Sequence, residues 1–145
     1  MIGEITRNDW AHLFLKECHY PRTKRNLIVM VAWIAAEQNP EQAPATKWNP
    51  LNSTKRMPGS TDFNSVHVQN YDSLAQGLTA SKLTLKEHGH GYGIIRFRLR
   101  LGLTRPRETL LAVERSDWGT GGLAREIADD VRRFYDSYGS IPIGQ

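Results

Sequence analysis

Residues 27–36 read "LIVMVAWIAA", and no other stretch constrains the fold so strongly. A helix of this length is too short to cross a bilayer. It is apolar on every side, so it predicts a core helix whose faces are nearly all covered by protein. Thr23 is placed to cap it, which sets a helix over about 24–38. Directly behind the run stands a carboxylate, Glu37, and after it comes "QNPEQAPATKWNPLNST", full of prolines, amides and hydroxyls. The prolines at 40, 44 and 50 forbid a long helix there, so residues up to about 61 read as ordered loop with turns at Asn49-Pro50 and Pro58-Gly59.

The remaining periodicities are mostly helical. Asn8 is a candidate cap for a helix over about 9–18 with Trp10, Leu13, Phe14 and Cys18 on its apolar side. Residues 63–71, "FNSVHVQNY", alternate around Val66 and Val68 and predict one short strand or extended arm. Ser73 can cap a helix over about 74–87, with Leu74, Gly77, Leu78, Ala80 and Leu85 as packing candidates. Residues 92–101 carry Ile94, Ile95, Phe97, Leu99 and Leu101, a pattern read as helix, with an alternating strand as the other reading. A short helix is expected over 108–115, and a final amphipathic helix over 123–138 on Leu123, Ile127, Val131, Phe134 and Tyr138. The sum is one mainly α domain (α+β in class) spanning 1–145, with a central buried helix and a short polar extended insert after it. A chain of 145 residues can bury a core of this kind without disulfides or metals.

Several function classes are narrowed by composition. One cysteine, Cys18, excludes an internal disulfide and suits a reducing compartment; it reads as a small buried apolar residue, with a catalytic thiol as the alternative. The formal charge of +4 is compatible with a polyanionic partner such as nucleic acid, an anionic membrane or an acidic wall polymer. The basic groups "RTKR", "RFRLR" and "RPR" lack the interleaved aromatics that stack on bases, which argues against nucleic acid. His67, His88 and His90 have no recognised ligand spacing, so neither a metal nor a cofactor is expected. "GHGYG" and "GTGG" lack the lysine of a phosphate loop and read as turns. The amino terminus shows no secretory signal, so export is expected to use another route.

Glu37 is the strongest candidate for chemistry. Trp33 and Ile34 precede it by four and three residues and share its side of the helix. A carboxyl beside such groups is poorly solvated when ionised, so its pKa should rise and it can hold a proton near neutrality. That is the requirement for a general acid in glycoside cleavage. The competing reading is a helix-ending glutamate that points to water.

The order of "AWIAAEQ", "WNPLNSTKRMPGSTDFNSVHVQNYDSLAQGLTASKLTL", "YGIIRFRLRLG" and "SDWGTGG" resembles the lysozyme-like superfamily. In particular it is similar to lytic transglycosylases and glucosaminidases, and to lysozyme-like proteins of actinobacterial phages. The resemblance spans about residues 30–122 and implies a lysozyme-like fold, with Glu37 giving its proton to the bond between N-acetylmuramic acid and N-acetylglucosamine in peptidoglycan. It implies that Asn49 and Asn52 hold the loop or contact N-acetyl groups, that Tyr71 lines the cleft, and that Trp48 in "KWNPLNST" faces the sugar. A second carboxylate, where the chemistry needs one, would be Asp62 or Asp72, although Asp72 also suits a helix amino terminus. "EQNPEQAP" departs from the small residues usual after the glutamate. The resemblance further implies glycan strands as partner, other virion proteins as possible partners, and residence in a phage virion or in the host cytoplasm before release. The same scaffold can also serve as a non-catalytic virion or wall-binding protein.

Overall fold

The computed structural model describes residues 3–38, 45–120 and 122–145. Its central element is the helix α2, Lys24–Glu37, capped by Thr23, whose Oγ1 accepts from Asn26 N at 3.2 Å. Ile28, Val29, Met30, Val31, Ala32, Trp33 and Ile34 are each at most 2% exposed. Burying each large side chain in that run contributes about 1.5–3 kcal/mol, which is why an all-apolar helix takes the middle of the fold. It packs against α1 (Arg7–Glu17), α5 (Pro106–Arg115), α6 (Leu123–Arg133) and α7 (Tyr135–Gly139). Two further helices, α3 (Leu74–Leu85) and α4 (Tyr92–Leu101), complete the described set. The architecture is mainly helical. No helix among the described residues is long and apolar enough to cross a membrane.

Caps explain most of the helix boundaries. Ser73 starts α3 by accepting from Gln76 N at 3.1 Å, as its position predicts. For α1 the cap is Thr6 rather than Asn8. Thr6 Oγ1 accepts from Asp9 N while Asp9 Oδ2 accepts from Thr6 N, a reciprocal box that satisfies two orphan donors where a lone asparagine would satisfy one. Asn8 instead accepts from the Tyr135 hydroxyl at 2.5 Å, tying α1 to the chain's end.

The expected arm over 63–71 is a small ribbon. β1 (Thr61–Asp62) and β2 (Gln69–Asn70) pair antiparallel, with Thr61 opposite Asn70. Between them Asn64 Oδ1 accepts from Val68 N and Asn64 O accepts from His67 N, so the asparagine makes a turn of what looked like continuous alternation. Val66 is 67% exposed and marks no core face. The expected long last helix is also divided. Phe134, with φ −116° and ψ 41°, ends α6 and begins α7; it stands 53% exposed instead of entering the core. The bend accompanies the reach of Tyr135 to Asn8 and the packing of Gly139 beside it.

α4 is a helix, bounded by Gly91 and Gly102 at positive φ. Of its five expected packing residues only Ile95 and Leu99 are buried, joined by Tyr92; Ile94, Phe97 and Leu101 are more than half exposed. The strand-like alternation arises from two apolar stripes on opposite sides of one helix.

Candidate active site

The site is built where α2 ends against the loop that returns over it. Gln38 closes the helix, its N–H donating to Ile34 O at 2.8 Å, and its Nε2 donates to Thr46 Oγ1 at 2.9 Å. Thr46 Oγ1 in turn donates to Asn49 O at 2.8 Å. Asn49 is fully buried and its amide is spent on backbone. Nδ2 donates to Ser53 O and Gln69 O, both at 2.8 Å, and Oδ1 accepts from Ser53 N at 2.9 Å. It therefore holds the loop closed. Gly77 of α3 lets the backbone of Trp48 pass against the helix, since a Cβ there would collide with the Trp48 carbonyl oxygen.

This frame delivers Asn52 to Glu37. Asn52 takes the left-handed conformation, φ 55°, which asparagine tolerates better than most residues. Its Nδ2 donates to the Glu37 backbone carbonyl at 2.9 Å and to Glu37 Oε2 at 3.1 Å. The other carboxyl oxygen, Oε1, is buried and has no hydrogen-bond partner among the described residues. Trp33, fully buried one turn back, leaves its indole Nε1 without a well-formed hydrogen bond among the described residues, yet near enough to the carboxyl to favour its charged form. Burial pushes the Glu37 carboxyl up from its ordinary 4.5 to about 7, against the downward pull of Asn52 and the nearby Trp33 indole. A buried oxygen without a donor is a poor place for negative charge. Protonated, the same carboxyl is a hydrogen-bond donor in search of an acceptor, and near neutral pH both forms are populated.

An aromatic row extends from this point. Trp33 meets Trp118 edge-on, centroids 5.0 Å apart; Tyr92 lies 5.5 Å from Trp118, and His90 stacks on Tyr92 at 5.4 Å. The Trp118 indole donates to Leu51 O at 2.8 Å, which pins the residue next to Asn52. At the far end His90 is held by Asp117, Nδ1 to Oδ2 at 2.8 Å, with Glu87 Oε2 3.6 Å from Nε2. Sequence reading passed over Trp118, yet a large aromatic inside the glycine-rich "SDWGTGG" loop was a usable signal, because such a ring needs something to cover.

The other named residues stand elsewhere. Tyr71 is 3% exposed and its hydroxyl donates to Lys55 O at 2.6 Å, so it braces the loop from behind. Trp48 is half-buried against the core with φ 55°. Asp62 is exposed on the ribbon, where it accepts from Gln69 Nε2 at 2.7 Å and meets His67 Nδ1 at 2.9 Å and Arg56 at 4.0 Å. The His67 and Gln69 hydrogen bonds hold it below the usual carboxylate range. Asp72 is exposed ahead of α3; its N–H donates to Gln76 Oε1 at 2.9 Å, and its carboxyl lies over Gly59. Neither aspartate bonds to Glu37. The stretch after Gln38, from "NPEQAP" on, falls at 39–44, outside the described residues. The chain matches no protein-family model, no curated protein and no solved structure.

Proposed function

We propose that this chain is a lysozyme-like domain that cleaves the glycan strands of peptidoglycan, with Glu37 as general acid. The observation that carries the reading is the Glu37 carboxyl itself: one oxygen held by Asn52, the other buried and without a hydrogen-bond partner among the described residues, the whole group pushed up to about 7. The proton of the Glu37 carboxyl passes to the glycosidic oxygen as the bond to the sugar's anomeric carbon breaks, and the carboxylate left behind is stabilised by the Asn52 amide. The substrate's own N-acetyl oxygen stabilises the positive charge at the anomeric carbon, and the same carboxylate then takes the proton of the sugar's C6 hydroxyl as that oxygen bonds to the anomeric carbon and displaces the N-acetyl oxygen. This one-glutamate course, the lytic transglycosylase form, is favoured over a two-carboxylate hydrolase because the exposed Asp62 carboxylate is taken by His67 and Gln69, and Asp72 is exposed ahead of α3 with no bond to Glu37.

The burial of Oε1 favours a second reading, in which the same scaffold binds wall glycan without cutting it. Muropeptide release from purified actinobacterial walls separates the two. Products that disappear in Glu37→Gln support the general acid; binding to walls with no products in the parent protein supports the non-catalytic scaffold. Release that continues unchanged in Glu37→Gln removes Glu37 from the chemistry.

A further inference from the structure

A surface helix ordinarily turns polar residues away from its buried side. α4 does not. Tyr92, Ile95 and Leu99 face the core, whereas Ile94, Phe97 and Leu101, at the three- and four-residue spacing of one helical stripe, are 59%, 52% and 51% exposed. Leu103, just past the helix, is 72% exposed. The helix contains three arginines and no acidic residue, and the arginines fall on the flanks between the two stripes. Arg96 is turned back, donating to Leu85 O at 2.7 Å; Arg98 and Arg100 are not.

Beside the outer stripe runs a groove of about 380 Å³. Arg25, Arg98 and Arg105 line it together with Leu101 and Leu103, and Glu108 is its single carboxylate. Among the described residues none of these three arginines forms an ion pair, and Arg25 spends one donor on Leu103 O at 2.5 Å. Arg98 Nε is buried without a hydrogen-bond partner among the described residues. A second groove of about 420 Å³ continues the cationic strip through Arg107 and Arg132, with Asp129 bound to Arg107 at 3.4 Å. Exposed apolar side chains next to guanidinium groups without a carboxylate partner among the described residues suit a partner that offers anionic oxygens at its surface and hydrocarbon just below.

We propose that the outer face of α4 docks on an anionic phospholipid surface. Phe97, Leu101, Leu103 and Ile94 enter the boundary between headgroups and acyl chains, and Arg98, Arg105 and Arg25 take the lipid phosphates, for which the guanidinium fork is well shaped. A second copy of the chain fits less well, since it would bring like-charged arginines against each other. Nucleic acid would satisfy the arginines but would leave the aliphatic side chains without a partner.

Flotation with lipid vesicles tests this. The full chain should bind phosphatidylcholine vesicles containing roughly one third phosphatidylglycerol, bind pure phosphatidylcholine far more weakly, and be released by salt. Phe97→Ser with Leu101→Ser should weaken binding by at least about tenfold, and Arg98→Gln with Arg105→Gln should weaken it similarly and flatten its salt dependence, with circular dichroism confirming the fold. Glu37→Gln should bind as the parent does, which keeps this surface independent of the glycan reading. Equal binding to neutral vesicles, no binding to either kind, or unchanged binding in both double variants overturns the proposal. So does a dimer that Phe97→Ser with Leu101→Ser makes monomeric, or salt-sensitive DNA binding that survives that variant.

Discussion

Glu37 and Asp62 are the same functional group in opposite settings. At the end of α2 the Glu37 carboxyl is largely buried beside Trp33, accepts from Asn52 on Oε2, has no hydrogen-bond partner on Oε1 among the described residues, and is pushed up to about 7 by burial. On the ribbon, Asp62 sits in water with donors from His67 and Gln69 on its two oxygens and is held low. The difference lies in how much solvent remains around the charge, since burial is the leading cause at Glu37 while Asp62 stands in water. A carboxyl becomes a proton store when the fold removes its water and does not replace it.

The largest test of that contrast is catalytic. Glu37→Gln should lower muropeptide release by at least about a hundredfold, the usual contribution of a general acid, whereas Asp62→Asn should leave it within about twofold. In the parent, release should fall as pH rises through about 7 and the acid form is lost.

Stability gives the next largest effect. A proton is bound more tightly in the folded state, so the contribution of Glu37 to folding is full below 4.5 and disappears as pH rises through about 7. Glu37→Gln should therefore be about 3 kcal/mol more stable than the parent at pH 8, with the gain shrinking toward zero near pH 4, as read by urea unfolding at each pH. Asp62 has the opposite sign. Its low pKa favours the folded state at neutral pH and stops doing so in acid, and because the residue is fully exposed the change in Asp62→Asn should be barely measurable.

Asn52→Gly probes the link between the two properties. Glycine accepts the left-handed backbone, so the variant removes the amide without straining the turn. It should cost about 1 kcal/mol of stability and move the alkaline limb of the release profile to higher pH, because the donor that favours the ionised form is gone.

The sequence made the helical frame legible where local chemistry was decisive. Thr23 and Ser73 cap as expected, and the run behind Glu37 fixes the central helix. It was less legible where distant contacts choose between local options. Thr6 displaces Asn8 because Tyr135 claims the asparagine, and Phe134 breaks a helix that its own periodicity would continue. The outward stripe of α4 was hidden because alternation along a chain does not say which stripe the core will take. At the site, Glu37 and its neighbour Trp33 could be read from spacing alone. That Asn49 would be consumed by backbone while Asn52 reached the carboxyl could not, since both are asparagines of one short turn-rich segment separated only by the path of the loop.

The central claim is that Glu37 keeps a proton near neutrality, and the most direct measurement is the titration of its own carboxyl carbon by NMR, assigned by comparison with Glu37→Gln. The account predicts a midpoint near 7, well above that of the exposed carboxylates in the same spectrum. A midpoint at the ordinary 4.5 would contradict it.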